Sequence, residues 1–199
     1  MLKIEYIWRE LLYRSIEESR PDFTITELSK IFNLSTSVVS HALKPLKELG
    51  IVKINKKNSK ILDAERLLFF WATRRNLKKE LIYSTYNPLP VQEREASMPS
   101  KVIPTAYSAF RMYFGNPPAD YENIYFYAKN LSEVEKRFPK SSKKNQDNLF
   151  ILKPDPFLKK RYKRIPLAQI FVDLWNLPEW YDKEFSDAIL LKIKEKIGL

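Results

Sequence analysis

From residue 3 to 19 the apolar positions Ile4, Ile7, Trp8, Leu11, Leu12 and Ile16 recur at a 3.6-residue period, which predicts an amphipathic helix. Thr24 with Glu27 three residues on has the form of a capping box. Ile25, Leu28, Ile31 and Phe32 then keep helical spacing, so a short helix with one core face follows. Asn33 and Leu34 form a tight turn, and Ser35 is placed to cap the next helix at once. In that helix Val39, Ala42, Leu43, Leu46 and Leu49 share one flank, and Gly50 stands where a left-handed residue ends a helix. Two β-prone runs, Ile51 to Ile54 and Lys60 to Leu62, surround a polar turn at residues 55 to 59. Two nearly abutting helices followed by a hairpin have the form of a winged helix-turn-helix.

With the apolar flank buried, Ser35, Thr36, Ser37, Ser40, His41 and Lys44 face outward near the start of the second helix. Short hydroxyls permit close approach to base edges, while His41 and Lys44 can donate to guanine or to phosphate. Lys53, Lys56, Lys57 and Lys60 crowd the hairpin, where they would neutralise phosphates without reading sequence. Pro45 lacks the N–H that would bond the His41 carbonyl, so a kink is expected there and the reading surface should end near Lys44. These features predict binding to double-stranded DNA. Helix-turn-helix units also serve as protein-contact modules, and a lysine run can be merely a solvated face.

Net charge sharpens this picture. The 199 residues carry a formal charge of +11, which favours a polyanionic partner. Cysteine is absent and there is one histidine, so a disulfide frame, a zinc ribbon and a metal site are not expected. No apolar run is long enough to cross a bilayer, and Glu5, Arg9 and Glu10 interrupt the N-terminal one, so a cytoplasmic protein without membrane contact is expected.

Beyond the hairpin, Asp63 caps a predicted helix with Leu67, Leu68, Trp71 and Leu77 on one side and Arg66, Arg74, Arg75, Lys78 and Lys79 on the other. Residues 84–100 contain three prolines and little periodicity, and read as a linker. A mixed pattern follows: a helix from Pro104 to Tyr113, an aromatic strand from Asn123 to Ala128, a helix from Leu131 to Phe138, a basic loop from Pro139 to Asn148, a strand from Leu149 to Leu152, a strand or helix from Pro166 to Trp175, and a helix from about Trp180 to Ile197. The predicted class is α+β, with a winged helix-turn-helix domain over 1–83, a linker over 84–100 and a smaller mixed α/β domain over 101–199, one role for which is dimerisation.

Chemistry for catalysis is sparse. Three isolated glycines exclude a phosphate-binding loop and a dinucleotide fingerprint, and no nucleophile–base pair is available, so no enzyme activity and no cofactor are expected. Asp155, near Lys159 and Lys160, is the weak opening for a metal-dependent nuclease or replication initiator. Asp173 inside Val172-Asp173-Leu174-Trp175 reads as a buried, paired acid, or less commonly as a catalytic carboxylate. The basic run Lys159, Lys160, Arg161, Lys163 and Arg164, interleaved with Phe157 and Tyr162, could grip a nucleic-acid backbone and stack a base. That run supports the alternative of an RNA or single-stranded DNA binder.

Two further segments carry a resemblance. Asp63 to Ala72 follows a D-x-x-x-L-L-x-x-W-A pattern. Leu167 to Trp175, with Gln169, Val172, Asp173 and Leu174, is similar to a P-x-Q-x-x-V-D-L segment in which Pro166 stands three positions before the glutamine, with Asp187-Ala188 in the helix beyond. With the N-terminal winged helix, the chain resembles the AbiEi-type antitoxins, the transcriptional-regulator half of type IV toxin–antitoxin systems. The resemblance implies an autorepressor binding inverted repeats, and an antitoxin whose second domain acts against a nucleotidyltransferase-like toxin without a stable complex. Because one winged helix reads about half a site, a homodimer on DNA is expected.

Overall fold

Helix α1 (Lys3–Glu17) is the axis on which the molecule is assembled. Its first turn is closed by the Glu5 carboxylate, which accepts from the Leu2 N–H at 2.8 Å. It ends two residues earlier than its apolar period suggests, because Ser19 adopts a left-handed backbone with φ 50 and Pro21 follows. The computed structural model describes residues 1–142 and 147–198.

A three-stranded antiparallel sheet and two helices form the first layer: β1 (Asp22–Phe23), α2 (Ile25–Phe32), α3 (Thr36–Glu48), β2 (Val52–Lys53) and β3 (Ser59–Ile61), in strand order β1-β3-β2. Strand β1 is too short to show a period of its own, and is held by pairing Asp22 with Lys60 and Phe23 with Ser59. Then come α4 (Ala64–Ala72), a 3₁₀ turn (Leu77–Glu80), β4 (Leu81–Thr85), α5 (Val91–Ala96), β5 (Ile103–Thr105) and α6 (Ala106–Phe114). The chain continues through β6 (Ile124–Tyr127), α7 (Ser132–Arg137), β7 (Leu149–Leu152), α8 (Leu158–Arg161), α9 (Leu167–Leu174) and α10 (Asp182–Ile197). The second sheet has order β4-β7-β6-β5, antiparallel except for the parallel β6–β7 pair. Helices α6 and α9 pack against its β5–β6 side, and α9 also packs on α1 and α4. The class is α+β, a helix-turn-helix region followed by a sheet-containing part.

Several sequence expectations change. The predicted helix after Asp63 stops at Ala72, and Arg75 is 5 % exposed rather than on a solvent face. Residues 84–100 are not a plain linker: they hold the end of β4 and helix α5. Arg94 is buried there and donates to the carbonyls of Leu89, Asn148 and Glu122 at 2.7–2.8 Å. Proline-rich irregular backbone is tolerated inside the protein because one guanidinium satisfies three carbonyls. Within Pro166 to Trp175, where the sequence allows strand or helix, Leu167–Leu174 is helical as α9. The basic loop expected from Pro139 to Asn148 lies partly outside the described residues.

A buried polar network joins the two parts. Arg9 of α1, fully buried, makes two hydrogen bonds to Asp155 at 2.6 and 2.9 Å and one to Gln169 at 3.2 Å. Glu10, also fully buried, accepts from Arg14, Arg161 and Tyr162 at 2.8–2.9 Å. Burial alone would raise the Glu10 carboxyl, but the Arg161 and Arg14 hydrogen bonds outweigh it and hold it below its usual range. Asp173, fully buried in α9, accepts from Thr105, Tyr127 and Gln169 at 2.6–2.7 Å, with Arg75 at 3.5 Å. There burial wins over Arg75 and the hydrogen bonds, and the carboxyl is raised. No described helix is long and apolar enough to cross a membrane.

Candidate nucleic-acid interface

The local sequence builds the two abutting helices. Thr24 Oγ1 accepts from the Glu27 N–H at 3.1 Å and starts α2, while the Glu27 carboxylate pairs with Arg14 of α1 at 2.9 Å. Asn33 takes the left-handed conformation (φ 49) that ends α2, a conformation asparagine tolerates better than most residues. Ser35 Oγ then accepts from the Val38 N–H at 3.3 Å and caps α3. Val39, Ala42, Leu43 and Leu46 are buried, which fixes the rotation of α3.

That rotation turns Ser35, Thr36, Ser37, Ser40, His41 and Lys44 to solvent, all of them exposed. Ser37, His41 and Lys44 lie at i, i+4 and i+7 and form the stripe farthest from the core. The stripe closes with Glu48, whose carboxylate sits 4.0 Å from Lys44 Nζ. An acid there would repel a phosphate, so the chemistry suited to a groove lies in the first two turns. His41 and Lys44 also border a shallow cleft of about 330 Å³ shared with Trp8, Phe70 and Arg74. Arg74, exposed and stacked 3.6 Å over the Phe70 ring, brings a cation beside α3 that its place on the α4 side did not single out in the sequence. Lys47 is likewise exposed on α3.

Helix α3 remains helical through Pro45 to Glu48. Next to that proline the indole N–H of Trp8 donates to the Ala42 carbonyl at 2.9 Å and ties α3 to α1.

The wing is short and braced. Asn55 N–H donates to Ser59 Oγ at 3.2 Å, Asn55 Nδ2 to the Asn58 carbonyl at 3.0 Å, and Asn58 Nδ2 to Asp22 at 3.1 Å. Lys56 and Lys57 stand exposed at its tip. In β2 and β3 the alternation puts Val52, Ser59 and Ile61 inward and Lys53 and Lys60 outward. All four wing lysines are therefore free to meet phosphate on one element.

The C-terminal basic run divides. Lys159, Lys160, Lys163 and Arg164 are exposed. Arg161 turns inward to Glu10, and Tyr162 is 5 % exposed, its ring edge-on to Tyr13 at 4.8 Å. A buried ring offers no face to a base, so the stacking role expected of Tyr162 does not fit this geometry; Phe157 is likewise spent on packing between Tyr6 and Phe32. Asp155, the carboxylate considered for a nuclease, is held by Arg9, and that guanidinium keeps it below the usual carboxylate range against the opposing effect of burial. Asp173 is enclosed by its hydrogen-bond partners rather than open to a substrate. Among the described residues no group of three or more metal-ligating side chains comes together.

Residues 15–53 match the family model of bacterial regulatory proteins of the arsR family. The match runs from the end of α1 through both abutting helices to β2, so it covers the stripe on α3 and the start of the wing. It supports a DNA-binding helix-turn-helix of the kind carried by transcriptional regulators. No curated protein and no solved structure matches the chain.

Proposed function

We propose that this protein is a sequence-specific double-stranded DNA-binding transcriptional regulator that represses its own promoter and serves as the antitoxin-like component of a toxin–antitoxin system, without enzyme activity of its own. The observation that carries the regulator reading is the pairing of two surfaces. One is a helix stripe of hydroxyls, His41 and Lys44 that can approach base edges; the other is a wing whose outward residues are lysines. One such unit covers about half a site. A homodimer on half-sites roughly 10 bp apart, or a multiple of that, is the corresponding assembly.

The antitoxin part rests on the two motifs of the AbiEi-type resemblance, which lie on segments in contact. Phe69 in the first motif meets Phe171 and Trp175 in the second at 5.6 and 5.5 Å, and Asn176 donates to the Ala72 carbonyl at 3.1 Å. Trp71 of the first motif donates to Glu5, which lies 3.4 Å from Arg75, itself beside Asp173 of the second. The two segments that carry the resemblance thus pack against one another. A functional link to a nucleotidyltransferase-like toxin, and action in the cytoplasm where the promoter is, belong to this reading.

Fluorescence anisotropy with the duplex upstream of the protein's own gene and a scrambled duplex of equal length, titrated with salt, tests it. Preference for the upstream duplex that persists near physiological salt is the expected result. Equal and steeply salt-dependent binding to both would overturn autoregulation, and absence of binding to either would overturn the DNA-binding reading.

A further inference from the structure

The exposed cations of the C-terminal run do not stand alone. Lys159 lines a cavity of about 390 Å³ with Lys101, Lys129, Pro99 and Val102, residues distant in sequence. An adjoining cavity of about 310 Å³ shares Lys101, Val102 and Lys159 and adds Tyr113, Lys163 and Arg164. Together they form a groove between the edge strand β5, the segment after β6 and the α8–α9 connection. Among the described residues five cations line it. Glu133 is the acid among the described lining residues, and it pairs with Lys101 at 3.4 Å where both are exposed. The groove lies apart from α3 and the wing, none of whose residues line it.

The walls are fixed. The segment around α8 is held on its inner side by Asp155 to Arg9 before the helix and by Arg161 to Glu10 at its end, so Lys159 within the helix and Lys163 just beyond it are offered from an anchored backbone. Next in the chain to Lys163, Arg164 lies 5.5 Å over the Tyr113 ring of α6. Such a pair presents a flat cation with an aromatic beneath it, a surface on which a base can rest.

The geometry points to a second nucleic-acid site, in which this groove holds the backbone of a single strand. The cations are spread along two adjoining cavities rather than converging on one point, and all five are exposed. A compact anion is recognised by a few convergent donors in an enclosing pocket, which this groove lacks. A line of exposed cations suits successive phosphates, each neutralised with release of counterions. A concave groove admits one strand, whereas a duplex is engaged by projecting elements such as α3 and the wing. This site does not depend on the regulator reading.

Full-length protein with fluorescein-labelled oligothymidylate tests the site by anisotropy, with inorganic tripolyphosphate as competitor. Lys101→Ala/Lys159→Ala should weaken oligothymidylate about tenfold at moderate salt and lower the salt slope by roughly 0.7 per lysine removed. Lys56→Ala/Lys57→Ala should leave that affinity within about twofold while weakening duplex, the reverse of the first variant. Oligothymidylate affinity that survives Lys101→Ala/Lys159→Ala, or that falls equally in the wing variant, would overturn the second site. Displacement by tripolyphosphate at equal phosphate concentration would overturn the single strand as its occupant in favour of a small polyphosphorylated ligand.

Discussion

Lys53 of β2 and Lys60 of β3 are direct cross-strand partners, both exposed on the outer face of the wing. Like charges set opposite one another cost roughly 0.2–1 kcal/mol, a cost that nothing in the core requires. Lys60 has Asp22 of β1 on its other side, so Lys53 is the uncompensated member. A polyanion laid across the face would relieve the repulsion. Lys53→Ala should therefore leave the thermal midpoint unchanged or slightly higher while weakening every duplex, with the salt slope reduced by about 0.9. A variant that melts earlier yet binds duplex with the same salt dependence would remove the wing from the interface.

The stripe on α3 should behave differently. Ser40→Ala/His41→Ala removes groups that lie over the groove in the reading proposed for α3, and neither side chain is buried. Preference for the upstream duplex over its scrambled counterpart should fall by about 1–3 kcal/mol for each base edge the variant can no longer read. Affinity for the scrambled duplex should hardly change. Equal weakening on both duplexes would make these residues phosphate-binding groups.

Legibility in the sequence follows how local each determinant is. Thr24, Ser35, Asn33 and Gly50 act within one turn of themselves, so α2 and α3 were readable residue by residue. The lysines of the wing were readable because the turn and its flanking strands are contiguous. Strand β1 was not, since its two residues are strand only by pairing with β3. Arg9, Glu10 and Arg14 interrupt an apolar period as solvent-facing residues would, yet all three are fully buried. Their partners Asp155, Arg161, Tyr162 and Glu27 come from other elements, which no local pattern announces. The same pairing draws the Tyr162 hydroxyl inward to Glu10 from the middle of a basic run, where the sequence alone suggests an exposed ring. Lys101 lies far from the basic run in sequence and meets Lys129 and Lys159 only through the second sheet.

Arg9 and Asp155 make the joint between α1 and the second part of the chain testable. Both side chains are nearly inaccessible, at 0 % and 3 %. Removing one partner leaves a buried charge unpaired, so Arg9→Met should cost about 3–5 kcal/mol in chemical denaturation. Adding Asp155→Leu should recover most of that loss, because a well-packed apolar pair replaces a desolvated ionic one. Since α1 packs on α3, α4, α9 and α10 alike, unfolding should proceed in a single transition in the unsubstituted protein. A double variant no more stable than Arg9→Met alone would mean that hydrogen bonds, and not charge burial, dominate the joint.

Asp182 opens α10 where the helix dipole favours a carboxylate, but its surroundings oppose ionisation. Its Oδ1 is buried without a hydrogen-bond partner, and Ser186 reaches Oδ2 only at 3.4 Å. Burial, reinforced by the charges of Glu179, Glu184 and Asp187, pushes the carboxyl up to about 7 from 3.8. Glu179 is held close by Tyr107, Asn123 and Tyr125 at 2.6–3.1 Å and cannot swing away. Between pH 3.8 and about 7 the folded state thus binds more protons at this site than the unfolded chain. Its contribution is fully present below the lower value and is lost as pH rises through the upper one. Asp182→Asn cannot ionise and escapes that loss. It should stabilise the protein more at pH 8 than at pH 5, by on the order of 1 kcal/mol once solvent screening of a partly exposed group is allowed for. Denaturant titrations of both proteins at the two pH values give that difference directly. A substitution effect that is the same at both would show that Asp182 is ionised in the folded protein throughout the range.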